Sequence, residues 1–93
     1  MIKHVNIKIS GIVQGVFFRI SAKEQADKLD IKGFARNEPD GSVYIESEGA
    51  EENINKFLEW CHQGPPLAEI EKVEITEGKP KFFSEFSRDF ADY

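Results

Sequence analysis

The chain has one cysteine, Cys61, and only two histidines, His4 and His62, far apart in sequence. A lone thiol rules out an internal disulfide, and no zinc-ligand spacing can be written from these residues, so no metal is expected to hold the fold. Long apolar runs are missing as well. The opening "MIKHVNIKIS" alternates apolar and polar residues where a signal peptide is continuously apolar, and no segment approaches a membrane span. A cytoplasmic protein with no membrane association is expected. Basic excess is also absent: 12 Lys and Arg stand against 17 Asp and Glu, a formal charge of −5. Nucleic acid and anionic membrane surfaces attract proteins through surplus Lys and Arg, so neither is an expected partner. A local pocket for a small anion is not excluded, because charges beyond a Debye length of about 8 Å are screened.

The 93 residues are 40% hydrophobic and 31% charged, with eight Phe, which suits a soluble chain with a single core. One domain over residues 1–93 is expected. Two stretches carry cations and no acid: 11–23, with Arg19 and Lys23, and 31–37, with Lys32 and Arg36.

Val5, Ile7 and Ile9 alternate with polar neighbours, which predicts a strand ending near Ser10 with one wet face. Ser21 and Glu24 have capping-box spacing ahead of Ala26 and Leu29, so the first helix is expected to begin near Ala22. Gly33 to Asn37, the turn signal "PDG" at 39–41 and the alternation at Val43 and Ile45 read as a β-hairpin. Ile54, Phe57, Leu58 and Cys61 form one helical stripe ended by "GPP", and Val73 and Ile75 alternate as a further strand. "KFFSEF" supplies a short last strand. Two helices must bury their stripes on one face of an antiparallel sheet, leaving the other to solvent. The order βαββαβ, with a short C-terminal extra strand, is that of an α+β ferredoxin-like sandwich, a fold that hosts many functions. His4, Lys8, Tyr44, Glu46, Lys72 and Glu74 are expected on the solvated face, Cys61 as an inert core thiol, and His62 against the end of its helix.

"GIVQGVFFR", residues 11–19, then lies between a strand and a helix. A glycine-bearing turn there can gather successive backbone N–H groups into an anion-binding concavity, aided by the helix end. Arg19 adds a permanently charged fork that fits phosphate oxygens in pairs. The Gly-Lys-Ser/Thr ending of a P-loop is missing, and no arginine follows Cys61 at the spacing of a cysteine-dependent phosphatase. Taken singly, Arg19 is as readily a surface residue, Asn37 a turn cap, Gln14 a side chain that either donates to a ligand or is solvated, and the glycines of the loop purely conformational.

The stretch "GIVQGVFFR" followed by "GFARNEPDGSVYIESEG" resembles the acylphosphatase family, and the similarity continues through "GPPLAEIEKVEI". The resemblance implies a ferredoxin-like sandwich that hydrolyses small-molecule acyl phosphates to carboxylate and inorganic phosphate with no metal or other cofactor. It places the phosphate on the backbone N–H groups of Gln14, Gly15, Val16, Phe17 and Phe18 and on Arg19, with Asn37 orienting the attacking water. Phe34 stands where the family often has Trp, Asp30 where a glycine often closes the first helix, and the tail "SRDFADY" runs past the usual end. Asp tolerates left-handed geometry, so the helix end is expected to close normally. A monomer is expected. The rival readings are a non-catalytic module that binds phosphate or carbamoyl phosphate within a larger machine, and an RNA-binding sheet. The second is poorly served, because the open face offers chiefly Tyr44 among acids.

Overall fold

The computed structural model describes residues 1–88. Its elements run β1 (Ile2–Ile12), α1 (Phe18–Lys28), β2 (Lys32–Asn37), β3 (Val43–Ala50), α2 (Glu51–Gln63), β4 (Glu69–Gly78) and β5 (Phe86–Ser87). The strands form one sheet in the order β4-β1-β3-β2-β5. β1 lies antiparallel between β3 and β4, and β3 pairs antiparallel with β2. β5 joins β2 in parallel, so the expected antiparallel sheet becomes mixed at that edge.

Period-2 alternation in β1 turns Val5, Ile7 and Ile9 to the helix side, where all three are buried with Val43 and Ile45 of β3. Ala22 and Ala26 of α1 and Ile54, Phe57 and Cys61 of α2 close the core from above. The α2 stripe is the one the sequence predicts. Cys61 is a buried free thiol, and burial pushes its ionisation up. The hairpin turn also forms as expected, with Gly41 N donating to Glu38 O at 3.1 Å and Glu38 N to Ser42 O at 2.9 Å. His62 Nδ1 lies 2.8 Å from Leu58 O, one turn back in its own helix.

Helix α1 starts earlier than its capping-box spacing suggests. It begins at Phe18 rather than near Ala22, and Ser21, instead of capping, donates its backbone N–H to Phe17 O at 3.1 Å. Phe17 takes the N-cap position with φ 65°, so the loop itself turns the chain into the helix. The other end behaves as expected for Asp30, which has φ 55°. Ile31 N donates to Ala26 O at 2.8 Å and Asp30 N to Asp27 O at 3.4 Å, the paired bonds of a Schellman ending.

Strand β1 continues two residues beyond the expected Ser10, through a register shift between Ser10 and Gly11. A Cβ on Gly11 would run into the backbone carbonyl of Glu69, so a glycine lets β4 pack close here.

The far face of the sheet is not left to solvent. Residues 79–85 cross it as a strap, and beneath them His4, Glu46, Glu48 and Phe34 are buried. The strap is fastened to carboxylates: Lys81 N and Phe83 N donate to Glu48 Oε1 and Oε2, each at 2.8 Å, and Lys81 Nζ to Glu46 Oε1 at 2.8 Å. His4 Nδ1 sits 2.8 Å from Glu48 Oε1, and its ring stacks on Phe83. His4 is therefore a buried member of this network rather than a wet-face residue, and Glu46 is likewise covered. Burial opposes ionisation of both glutamates, yet the hydrogen bonds they accept hold their carboxyls below the usual range. Lys8, Lys72 and Glu74 remain at the surface, Lys8 paired with Asp40 and Lys72 with Glu74. In the Phe-rich C-terminal segment, Phe86 is core, facing Phe57 at 6.0 Å, and Phe82 is exposed. Phe90 and most of the tail "SRDFADY" lie outside the described residues.

Candidate active site

The loop from Val13 to Phe17 is anchored by three apolar residues. Val13, Val16 and Phe18 are buried in the core, Phe18 against Trp60 at 5.2 Å between ring centres. Gly15 and Phe17, between these anchors, have φ 75° and 65°. Left-handed residues flanking Val16 give the alternating backbone that gathers N–H groups into a nest. At Gly15 the space around a hypothetical Cβ is empty, so the glycine is there for its dihedral angle and not for packing.

The first N–H groups of α1 have no acceptor within the helix. Among the described residues, the N–H groups of Gly15, Val16, Phe17 and Phe18 donate to no protein acceptor either. Of these, Gly15, Phe17 and Phe18 line a cleft of about 380 Å³, together with Arg19. Asn37, at the end of β2, lines the same cleft, as do Ile20 and Arg88.

Arg19 and Asn37 thus come together from different elements. Arg19 is placed by the first turn of α1, and its Nη1 donates to the backbone carbonyl of Arg88 at 2.9 Å. Asn37 is set by its register opposite Val43. Gln14 connects the two sides: its Nε2 donates to Glu38 O at 2.8 Å and to Ser42 O at 2.9 Å, tying the loop to the β2–β3 turn beside Asn37. Its side chain is therefore neither solvated nor directed to a ligand, a role its sequence context does not disclose. Val16 supplies the loop with a core anchor and only its backbone to the nest.

The other cations of the two acid-free stretches are engaged elsewhere. Lys23 pairs with Asp27 at 3.0 Å and donates to Phe86 O, and Lys32 pairs with Asp30 at 3.2 Å. Arg36 lies over the Tyr44 ring at 4.9 Å and pairs with Glu38 at 3.1 Å. Arg88 is the cleft residue that sequence reasoning passes over, because it sits in a tail with no periodic pattern to place it. Its signal is the parallel pairing of β5 with β2, which brings residue 88 round to α1. Among the described residues, no carboxylate lines the cleft and no group of three His, Cys, Asp or Glu able to hold a metal ion occurs.

This architecture defines a ferredoxin-like sandwich with a cleft, lined by Arg19 and Arg88, at the N-terminus of α1. The acylphosphatase family model matches residues 5–89, and the chain belongs to that family. It is 47% identical to an acylphosphatase of Rubrobacter xylanophilus over 81% of this chain and 68% of that protein. Its fold matches the crystal structure of acylphosphatase from Bacillus subtilis with a TM-score of 0.90 at 32% identity, covering 95% of this chain and 98% of the other. A full-length HypF, in a phosphate- and nucleotide-bound form, contains a similar unit: TM-score 0.88 and 30% identity over 99% of this chain, which spans 12% of that protein.

Proposed function

We propose that the protein is an acylphosphatase that cleaves the carboxyl–phosphate bond of small-molecule acyl phosphates by direct attack of water on phosphorus. The observation that carries this reading is the meeting of Arg19, the loop N–H groups and Asn37 at one cleft. The backbone N–H groups from Gln14 to Phe18 and the Arg19 guanidinium hold the phosphoryl oxygens. As water attacks in line with the departing carboxylate, charge spreads over the equatorial oxygens, where these fixed donors act most strongly. Asn37 holds the water by its side-chain amide. No general acid is needed, because a carboxylate leaves with a conjugate-acid pKa near 4. The reaction needs no metal or cofactor for the same reason: positioning and charge stabilisation suffice for so good a leaving group.

A phosphate monoester departs as a poor alkoxide and normally requires an acid, a nucleophile or metal ions. Selectivity follows from that contrast. The test is phosphate release from benzoyl phosphate and from phenyl phosphate by the same preparation. Turnover of benzoyl phosphate, with phenyl phosphate at least roughly a hundredfold slower, is expected. Comparable rates on both would overturn the reading. The likeness to a segment of HypF favours a second reading, a phosphate- or carbamoyl-phosphate-binding module. Saturable phosphate binding with no hydrolysis of any acyl phosphate would select it.

We also place the chain in the cytoplasm as a monomeric single domain. The buried, unpaired Cys61 calls for no oxidising compartment, and no helix among the described residues is long and apolar enough to cross a membrane.

A further inference from the structure

Phe17 occupies a conformation that favours glycine, yet it is not glycine. At φ 65° a bulky L-residue carries a steric cost that Gly15, two positions earlier at φ 75°, avoids. Packing does not offset that cost, because the Phe17 residue is 69% exposed. Ile20, three residues on in the first turn of α1, is 42% exposed. Both line the cleft that holds Arg19 and Asn37. An exposed phenyl ring and an exposed sec-butyl group, both lining the cleft that holds Arg19, offer dispersion and burial to something apolar covalently joined to an anion bound there.

We propose that Phe17 and Ile20 form an apolar shelf that receives the acyl group of the substrate, so that the site prefers acyl phosphates with aromatic or branched apolar acyl groups to acetyl phosphate. This inference rests on the reading of the cleft as an acyl phosphate site. The phosphoryl end, held by the loop and Arg19, fixes the substrate's position; the ester oxygen then directs the acyl carbon outward over the rim. Strain at a functional loop is retained where the side chain it carries contributes to the function, and Phe17 is exposed where it lines the cleft.

The test uses acylphosphonates, in which the acyl carbon is bonded directly to phosphorus and water cannot release phosphate. Dissociation constants of benzoylphosphonate and acetylphosphonate are measured by calorimetry for the wild type, Phe17→Asn and Ile20→Gln. Asn accepts left-handed geometry, and acetylphosphonate is the internal reference for any disturbance of the phosphate-holding backbone. The wild type is expected to bind benzoylphosphonate roughly fivefold or more tightly, as partial burial of a phenyl ring implies. Phe17→Asn should bring the ratio of the two constants close to one, and Ile20→Gln should reduce it in part. Equal affinities in the wild type, or a ratio that neither substitution changes, would overturn the shelf. If neither phosphonate binds, the shelf falls together with the site. Hydrolysis of benzoyl phosphate reports separately: a preserved affinity ratio without turnover would sustain the shelf and overturn the catalytic reading.

Discussion

Arg19 and Asn37 share a cleft but, in the proposed reaction, hold different atoms, so their removal should fail in different ways. Arg19→Gln takes away the guanidinium that α1 places in the cleft and should lower kcat by roughly 10³-fold, the scale of an arginine acting on a transferring phosphoryl group. Near-normal turnover with an unchanged circular dichroism spectrum would remove Arg19 from the chemistry. Asn37→Ala leaves the loop and Arg19 in place, so inorganic phosphate should inhibit with an unchanged constant while kcat falls roughly a hundredfold, the cost of one preorganised hydrogen bond. Were Asn37 only a turn cap, its loss would cost about 1 kcal/mol of stability and leave kcat intact. That these two residues would meet at one cleft was legible only through the family resemblance, because taken singly each has an ordinary surface or turn reading. The role of the Gln14 side chain was not legible. Its two acceptors are backbone carbonyls of Glu38 and Ser42, and a glutamine that ties one loop to another looks, in one dimension, like a glutamine in water.

Among the elements, the strap over the sheet is the one that hydropathy patterning could not reveal. His4, Glu46 and Glu48 occupy alternate polar positions of β1 and β3, which is what a solvated face looks like; covering them takes a segment with no periodicity of its own. Glu48 fastens that segment through two hydrogen bonds of 2.8 Å, from Lys81 N and from Phe83 N, and its Oε1 also lies 2.8 Å from Nδ1 of the His4 ring. Beyond it the chain enters β5 and delivers the carbonyl of Arg88 to Arg19. Glu48→Ala strands these donors under the strap and should cost roughly 3 kcal/mol, read as a lowered urea midpoint. An unchanged midpoint would show that the strap is not held there. The start of α1 was misread for a related reason. A Ser–Glu pair at capping distance is a local signal, and the left-handed Phe17, set by the anchored loop, begins the helix one turn sooner. The α2 stripe and the hairpin were legible because each is decided within its own residues.

Across the whole molecule, the same buried carboxylates set the response to acid. The carboxyls of Glu46 and Glu48 ionise below the ordinary value of 4.5 in the folded chain, so their stabilisation is present above that pH. It is lost as pH falls through their folded values. The urea midpoint should stay level from about pH 7 to 5 and drop below about 4.5, more gently in Glu48→Gln than in the wild type. A wild-type midpoint that holds level well below pH 4 would contradict the carboxylate network as the acid-sensitive element. The chemistry at the cleft can be followed at this scale too, since the whole proposal is that water attacks phosphorus without a metal. Benzoyl phosphate hydrolysed in ¹⁸O-labelled water containing EDTA tests that most directly. Rapid phosphate release is expected, with the label entirely in inorganic phosphate and none in benzoate. Label in benzoate, or activity lost to the chelator and restored by magnesium, would contradict it.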